Sequence, residues 1–568
     1  MTNYQFTGGT ICAPATIPGT GAISIIRVSG KEALAIADKV IDTKGVPIAE
    51  TEGYRLRYGT VFEADGSVLD NVIVSVFRAP HSYTGENSVE ISCHASRFIV
   101  NKILELLVNA GARIAAPGEF TRRAFVNGKM DLAQAEAVAD VIASQSAASH
   151  RVAMNQLKGG FSSELKVLRE KLLTMTSLLE LELDFSEEDV EFASRKELGQ
   201  LVDDSLTHIR RLTASFSRGN AIKNGIPVAI VGATNTGKST LLNALLGEER
   251  AIVSDIAGTT RDTIEETLNI DGILFRFIDT AGIRETDETI EKIGIDRTFK
   301  KLGEAAVVLG MTDLSRGEAA VLEDADFILS KVNEMGGVKN DGTENDGYET
   351  GGASLAGTSG APLSGTDGAS LAETGGSSLA ETGGKPLAET GGASQHGHGD
   401  GQERKVVILV NKCDVAGDFY RDDNGTVYGS GNDLGENMAE IGGNKNINHD
   451  NNIVSLIENK YDNCKVIPIS AKTGKGLSTL TKTLGEIGSE ITGSTDETLV
   501  TNVRHYEALV RAASALERVR AGLHIATLPP DLIAQDLREA LYHLGEIVGE
   551  ITTDETLGNI FRNFCVGK

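Results

Sequence analysis

A glycine-rich stretch after a short apolar run constrains the fold of this chain more than any other feature. The run at 228–231 leads into G-x-x-x-x-G-K-S, from Gly232 to Ser239, and a helical pattern follows. Gly232 and Gly237 let backbone N–H groups close round a β-phosphate. Lys238 supplies a positive charge, and the hydroxyl of Ser239 can bind Mg²⁺. The sequence therefore predicts a phosphate-binding loop between a strand and a helix of an α/β domain.

Two segments further along the chain carry the residues of a nucleotide-dependent switch. "AGTTRD" offers Thr260 as a hydroxyl that closes on Mg²⁺ when a γ-phosphate is present. "FIDTAG" ends a strand at Asp279, a carboxylate near the metal, with Gly282 free to move onto the γ-phosphate. Their order after the phosphate loop favours a nucleoside triphosphate switch.

Two later segments predict which base is bound. "VILVNKCD" ends a buried strand and places Asp414 to accept hydrogen bonds from N1 and N2 of guanine, a pattern that adenine does not offer. "VIPISAKTGKG" adds Ser470, Ala471 and Lys472 beneath the base. Any one of these segments alone would more often be a turn or a helix cap. Together, and in this order, they indicate a guanine-nucleotide switch.

The position that usually carries the water-orienting glutamine is occupied here by a residue that cannot orient water. After D-x-x-G, Ras-like enzymes have a glutamine, whereas this chain has Ile283. Asn235, inside the phosphate loop, could help to bind a monovalent cation, or it could be an ordinary loop residue. Glu291, in "RETDETIEKIG", could steer a water, or it could lie on a solvated helix face.

The pattern of apolar residues changes along the chain. Residues 1–120 mix β-patterned runs with turns, residues 121–220 are helical, and residues 226–334 alternate strands and helices. The C-terminal region is helical again, most clearly in "DLIAQDLREALYHLGEIVGEIT". A stripe at helical spacing is predicted to be packing core: Phe161, Leu165, Leu168, Leu172, Met175, Leu179 and Leu183.

Two inserts of low complexity interrupt the α/β region. Between 340 and 403, leucines recur every eight residues amid Gly, Ser, Thr and Glu. Such sparse apolar side chains cannot offset the entropy of ordering the chain, so a disordered loop is favoured over a repeat solenoid. The second insert, 417–452, has the same character.

Composition excludes several classes of protein. A net charge of −26 repels phosphate backbones, which argues against a chain that grips nucleic acid by itself. The five scattered cysteines contain no C-x-x-C pair, so we expect no disulfide framework or structural zinc, and a reducing cytoplasm. No leader pattern and no apolar run of membrane-spanning length is present, so a soluble protein without membrane contact is predicted.

The chain ends in "FRNFCVGK", which has two interpretations. Cys565 could belong to a C-a-a-X prenylation box, but Gly567 and Lys568 fit that box poorly and no polybasic run precedes it. Alternatively, the tail is tucked into a site whose other residues lie elsewhere in the chain.

Segments from three separate regions resemble one family. They are "PGTGAISIIRVSG", "HSYTGENSVEISCHAS", "APGEFTRRAFVNGKMDLAQAEAVADVI", "GATNTGKSTLLNALLGEERAIVSDIAGTTRD", "IDTAGIRETDETIEKIGIDR", "TNVRHYEAL" and "CVGK". The chain resembles the tRNA modification GTPase family MnmE, also called TrmE, over nearly its whole length except the inserts. One departure is Thr234, where the family usually has a proline; we expect it to change the stiffness of the loop more than its chemistry.

The resemblance implies a multidomain α/β architecture. Residues 1–120 would form an N-terminal α+β domain that binds tetrahydrofolate and dimerises. A helical bundle domain would combine 121–220 with 491–568. Between them, a Ras-like P-loop α/β G domain would occupy 221–490, with inserts at about 335–404 and 415–455.

The resemblance also implies ligand sites. The folate site would comprise Arg27, Glu90, Lys129 and Lys568, with Glu86 as a close alternative to Glu90. Potassium would be bound by Asn235, Ser254, Ile256 and Thr259, and Mg²⁺ by Ser239 and Thr260. The catalytic residues would be Lys238, Asn235, Cys565 and Glu291, the last positioning water; whether Cys565 is a nucleophile or merely packs stays open. The GTP-binding set would be Asn235, Thr236, Gly237, Lys238, Ser239, Thr240, Ser254, Asp255, Ile256, Ala257, Gly258, Thr259, Thr260, Asp279, Thr280, Ala281, Gly282, Asn411, Lys412, Asp414, Ser470, Ala471 and Lys472.

The implied activity involves a partner. With the FAD protein MnmG, the family builds a carboxymethylaminomethyl or aminomethyl group at C5 of wobble uridine 34 in certain tRNAs, using GTP and a 5,10-methylene or 5-formyl tetrahydrofolate. A homodimer, joined to MnmG as a heterotetramer or larger assembly with tRNA held mainly by MnmG, is expected. Two alternatives are a regulatory or ribosome-assembly GTPase switch that only binds partners, and a folate-dependent aminomethyl transferase that acts alone.

Overall fold

A computed structural model describes residues 8–184, 195–249, 266–278, 303–334, 404–414, 420–421, 427–428, 453–461, 464–493, 497–524, 529–562, 564–565 and 567. Thr260, Asp279 and Glu291 lie outside these ranges, as does the predicted low-complexity insert 340–403.

The N-terminal region folds around a seven-stranded sheet. Its elements are β1 (Ile11–Pro14), β2 (Ile23–Ser29), α1 (Ala33–Val40), β3 (Ile41–Asp42), β4 (Arg55–Phe62), β5 (Val68–Phe77), β6 (Ser88–His94), α2 (Arg97–Asn109) and β7 (Arg113–Ile114). The strand order is β3-β4-β5-β6-β2-β1-β7, and only the β1–β7 pair is parallel. Val72, Val74 and Val76 alternate with more exposed residues along β5, so one face of the sheet packs against α1 and α2.

A helical region follows and receives the C-terminal part of the chain. Its elements are α3 (Glu119–Val126), α4 (Leu132–Ala143), α5 (Ala147–Leu157), α6 (Gly160–Asp184), α7 (Arg195–Ala214), α8 (Phe216–Asn224), α13 (Val503–Leu523), α14 (Pro530–Val548) and α15 (Asp554–Arg562). The predicted stripe on α6, from Phe161 to Leu179, is confirmed as core, since its six members are at most 2% exposed. It packs with apolar residues of α7, α13 and α14. The side chain of Leu183 lies outside the described residues.

The predicted α/β region is confirmed as a six-stranded sheet. Its elements are β8 (Ile226–Gly232), α9 (Lys238–Glu249), β9 (Glu266–Ile270), β10 (Ile273–Ile278), β11 (Val307–Asp313), α10 (Glu318–Glu334), β12 (Lys405–Asn411), α11 (Ile453–Lys460), β15 (Cys464–Pro468) and α12 (Leu477–Thr492). The strand order is β15-β12-β11-β8-β10-β9, parallel except for the β9–β10 pair. Residues of β11 and β12 are buried on both faces, as in doubly wound α/β sheets.

The second insert departs from the sequence-based expectation of a loop. Two short strands, β13 (Tyr420–Arg421) and β14 (Val427–Tyr428), pair antiparallel within it. Valine and tyrosine favour extended structure, which accounts for the pairing. Helix α11 begins at Ile453, inside the range expected for the insert. Ile453 and Ile457 pack into the core that the sheet forms with α10.

Within the described ranges, no helix combines the length and apolarity that crossing a bilayer requires.

Candidate functional site

The phosphate loop connects the end of β8 to the start of α9. Asn235 adopts a left-handed backbone conformation with φ of 63°. The ammonium of Lys238 donates hydrogen bonds to the carbonyl oxygens of Gly232, at 3.0 Å, and Ala233, at 2.8 Å. Burial lowers the pKa of Lys238. Because phosphate oxygens are stronger acceptors than carbonyls, this ammonium is placed to exchange onto a phosphate at the N-terminus of α9.

A cavity of about 240 Å³ lies beside this loop, at the carboxyl edge of the sheet. Asn411 joins its two sides: its Nδ2 donates to the carbonyl of Thr236 at 2.7 Å, and its Oδ1 accepts from the N–H of Ala471 at 3.0 Å. The pocket residues are Asn235, Gly237, Thr240, Asn411, Lys412, Asp414, Ser470, Ala471 and Lys472. All nine belong to the set expected to bind GTP.

The remaining residues of that set divide into two groups. Thr236, Lys238 and Ser239 lie in the loop and at the start of α9. Ser254 to Thr260 and Asp279 to Gly282 fall outside the described residues, and so does Glu291, which was predicted separately to position water. In the part of the chain that the structure describes, no cluster of three or more His, Cys, Asp or Glu side chains is placed to hold a metal. The oxygen donors of Asn235 and Ser239 suit the hard cations that the sequence predicts.

A second group of polar residues gathers around Arg27, on the seven-stranded sheet. Arg27 in β2 and Glu90 in β6 are register partners. The guanidinium contacts Glu90 Oε1 through Nε at 3.0 Å and Nη2 at 2.9 Å. It also lies over the rings of Tyr83 and Phe120, with 5.2 Å and 5.7 Å to the centroids. Phe120 is fully buried and Tyr83 is partly exposed, so the guanidinium and the ring of Tyr83 are the groups placed to contact a planar anionic ligand.

The tail of the chain reaches the same place. Gly567 is buried, and its carbonyl oxygen lies 3.4 Å from Arg27 Nη1. The carbonyl of Cys565 accepts a hydrogen bond from the N–H of Gly118, while Cys565 itself is exposed. The arrangement supports the tucked tail over the prenylation box. Lys568 lies outside the described residues.

Lys129 and Glu86 occupy different positions near this group. Lys129 Nζ donates to the carbonyl of Pro80 at 3.1 Å, on the loop that carries Tyr83. Glu86 instead accepts two hydrogen bonds of 3.0 Å from Arg123, whose side chain is 2% exposed. Of the two candidate carboxylates, Glu90 is therefore the one beside Arg27.

Three residues at these sites were not predicted from the sequence. Tyr83 and Phe120 flank Arg27, and Asp313 contacts Lys412 with 2.6 Å between Oδ2 and Nζ. Tyr83 stands in "HSYTGENSVEISCHAS", whose resemblance could have singled it out. An acidic residue at the end of a buried strand was the available signal for Asp313.

The cysteines form no disulfide, as the sequence predicted. Burial raises the pKa of Cys12, Cys93 and Cys464 to about 11 and that of Cys413 to about 12. These four thiols are therefore protonated and unreactive at neutral pH.

Comparisons with known proteins match both the N-terminal region and the rest of the chain. A family model described as the GTP-binding protein TrmE N-terminus matches residues 10–129, and one described as the MnmE helical domain matches residues 132–565. The chain is 43% identical to "tRNA modification GTPase MnmE" of Parabacteroides distasonis over 98% of its length and 100% of the relative. The protein of the same name from Bacteroides thetaiotaomicron is 42% identical over 98% of the chain and 99% of the relative. Among solved structures, the FeoB G-domain from Methanococcus jannaschii matches with a TM-score of 0.22 and 17% identity, over 46% of this chain and 97% of that one.

Proposed function

Because the chain belongs to the tRNA modification GTPase MnmE family, we propose that it couples GTP hydrolysis, activated by potassium, to folate-dependent chemistry on tRNA. Together with an FAD-containing MnmG-like partner, it would build a carboxymethylaminomethyl or aminomethyl group at C5 of wobble uridine 34. The one-carbon unit would come from a 5,10-methylene or 5-formyl tetrahydrofolate. Since the proposed substrate is tRNA, the activity belongs in the cytoplasm.

The meeting of Arg27, Glu90 and the tail at Gly567 is the observation that carries this proposal. A GTPase that only binds partners has no need of an arginine held against aromatic rings and the chain's tail on a region remote in sequence from its phosphate loop. The guanidinium would supply charge for the glutamate part of a folate, and the partly exposed ring of Tyr83 would offer a surface to a pterin, with the buried Phe120 packed behind the guanidinium. Lys129, on the adjoining loop, adds a second cation. Lys568 would add a third cation. Cys565 would either act as a nucleophile on the one-carbon unit or only pack in the tail.

The G region supports the other half of the proposal. Lys238 and the N–H groups at the start of α9 would hold the β- and γ-phosphates. Asp414 would recognise guanine, while Asn411 keeps the loop and the Ala471 segment together. Glu291 would position the attacking water, a role that Ile283 cannot fill.

Two cations complete the nucleotide site in this proposal. Asn235 with Ser254, Ile256 and Thr259 would bind K⁺, and Ser239 with Thr260 would bind Mg²⁺. When bound, these cations would neutralise the negative charge that develops on the phosphates. In other GTPases an arginine side chain does this. The left-handed backbone at Asn235 fits this role, since it makes the loop turn at that residue.

The N-terminal sheet supports the proposed homodimer. The face that does not pack on α1 and α2 leaves apolar side chains exposed, among them Leu56 (67%), Tyr58 (67%) and Ile73 (47%). Tyr58 and Ile73 are register partners on β4 and β5, so they form one continuous patch. A patch of this kind on a sheet is suited to a second copy of the same sheet.

The cation part of the proposal is tested by measuring GTP hydrolysis of the purified full chain in KCl and in NaCl. We expect a much higher turnover in KCl and its loss in Glu291→Ala. Glu318→Ala, an exposed glutamate in the first turn of α10, is the control that should keep wild-type turnover. Equal rates in the two salts would contradict potassium activation.

The folate part is tested by titration with 5-formyltetrahydrofolate, which separates the proposal from a partner-binding switch. Saturable binding that is lost in Arg27→Ala supports the folate site, whereas no binding by the wild-type chain favours the switch. Mass spectrometry of wobble uridines from a deletion strain then tests the tRNA product. Weak tRNA binding by the chain alone, which becomes tighter when the MnmG-like partner is added, would support the proposal that the partner holds most of the tRNA.

A further inference from the structure

The end of strand β11 places a buried carboxylate against the base pocket. Asp313 is the last residue of β11 and pairs in register with Asn411, the last residue of β12. Its side chain is 8% exposed, and its Oδ2 lies 2.6 Å from the ammonium of Lys412, whose side chain is 34% exposed. Lys412 lines the cavity between the phosphate loop and the Ala471 segment.

The carboxylate is itself held in a fixed orientation. Asp313 Oδ1 accepts hydrogen bonds from the N–H of Ser315 at 3.0 Å and from its hydroxyl at 2.6 Å. These bonds form the start of a short 3₁₀ turn, Leu314–Arg316. With Oδ1 occupied in this way, Oδ2 is turned toward Lys412. Burial would raise the pKa of Asp313, but the bonds from Lys412 and Ser315 outweigh burial and lower it, so the group is ionised at neutral pH.

Lys412 needs such an anchor. Its backbone is in the left-handed region, with φ of 64°, an uncommon conformation for a residue with a side chain. Its long stem would otherwise lose substantial rotamer freedom on being fixed beside a base. The ion pair has already restricted that freedom before a nucleotide binds.

From this geometry we propose that Asp313 is a positioning residue for nucleotide binding, acting through Lys412. It holds the lysine stem across the wall of the pocket so that the stem packs against the purine ring. The inference rests on the proposed function, since it assigns the cavity to a guanine nucleotide. Asp313 makes no contact with the nucleotide in this proposal; Asp414 keeps the role of selecting guanine.

A double-mutant cycle on the full chain tests the proposal, with binding of a fluorescent N-methylanthraniloyl GDP as the readout. Asp313→Asn keeps the shape of the side chain but removes the charge that binds the ammonium. We expect it to weaken binding about tenfold, in line with the loss of one charged hydrogen bond. In Lys412→Met the same change at Asp313 should have less than about a twofold further effect, because the two residues act as one unit.

Two further measurements separate positioning from folding. Asp326→Asn breaks a Lys–Asp pair of the same type, with 2.6 Å to Lys460 on the outer helices α10 and α11, and should leave GDP affinity unchanged. Affinities for GDP and IDP should fall by the same factor in Asp313→Asn, since a packing contact with the ring does not distinguish their 2-substituents. If Asp313→Asn does not fold, Lys412→Met alone must still weaken nucleotide binding about tenfold, and by the same factor for GDP as for IDP.

The outcomes are distinct. An undiminished effect of Asp313→Asn in the Lys412→Met background, or no effect in the wild-type background, would overturn the inference and leave the proposed function intact. A wild-type chain that binds no guanine nucleotide would overturn the proposed function itself.

Discussion

The carbonyl oxygen of Gly567 lies 3.4 Å from the guanidinium of Arg27, although the two residues are 540 positions apart. The contact joins the last residues of the chain to a strand at its beginning. It depends on the path of the tail, which passes the start of α3 and packs against Pro14. Disturbing that path should therefore impair the proposed folate site without touching the phosphate loop.

The first prediction concerns Gly567. Its φ is +99°, and a Cβ there would lie 2.0 Å from the carbonyl oxygen of Pro14. Gly567→Ala combines this clash with about 1–2 kcal/mol of left-handed backbone strain, so the tail must leave. We expect at least tenfold weaker binding of 5-formyltetrahydrofolate by calorimetry, a figure that about 1.4 kcal/mol accounts for. Gly558→Ala on α15, where a Cβ would meet nothing within 4 Å, is the matched control.

The second prediction separates the two carboxylates that the sequence left as alternatives. Glu90→Gln weakens the two contacts that hold the Arg27 guanidinium in position at a partly exposed site, so folate affinity should fall while urea unfolding changes little. Glu86→Gln should do the opposite, because its carboxylate accepts two hydrogen bonds from Arg123, whose side chain is only 2% exposed. Arg123 keeps its ion pair with the buried Glu119, so the loss of stability should stay below the roughly 3–5 kcal/mol of an uncompensated buried charge. Equal effects of both variants on folate binding would contradict this assignment.

The third prediction concerns the phosphate loop. Gly237 has φ of +101°, and a Cβ there would lie 2.4 Å from Asn411 Nδ2, the atom that holds Thr236. Gly237→Ala should therefore displace Asn411, open the base pocket and weaken GDP binding by about a hundredfold or more, equivalent to roughly 3 kcal/mol. Gly247→Ala in α9, with open space around the added Cβ, should bind GDP as the wild type does.

The fourth prediction is a pH dependence in the helical region. Glu136 on α4 is 2.6 Å from His505 Nε2 and accepts two hydrogen bonds from Arg504. Burial would raise the pKa of Glu136, but the charges and hydrogen bonds of His505 and Arg504 lower it from 4.5 to about 2. The carboxylate thus stabilises the fold above pH 4.5, and this contribution, roughly 3 kcal/mol, is lost as the pH falls toward 2.

Protonation of His505 acts in the same direction. Burial lowers the pKa of His505, so its charging also destabilises the fold once the pH falls below the ordinary value of 6.5. Urea unfolding followed by far-UV circular dichroism at several pH values should show falling stability toward acid. Glu136→Gln should be less stable at pH 7 and flatter below pH 4.5. Glu180→Gln, which removes an exposed partner of Arg538, should keep the wild-type profile.

Local features of the chain were predictable because they depend on neighbouring residues. The phosphate loop follows from a contiguous strand, glycines and helix, and the α6 stripe follows from a spacing that puts Phe161 to Leu179 on one face. The motifs for base recognition lie at strand ends, and the parallel sheet then brings them to one edge. Composition alone missed the β13–β14 pair, since two-residue strands leave little pattern.

The sequence by itself determined the class of nucleotide, the α/β core and the residues that are candidates for binding ligands. The tertiary structure decided which of them meet: Glu90 and not Glu86 beside Arg27, Gly567 against Pro14, and Asp313 against Lys412. These are contacts between residues tens to hundreds of positions apart, set by strand register and chain path. Periodicity along the chain carries no information about such pairs, because it reports which face of an element is apolar and not what that face will touch.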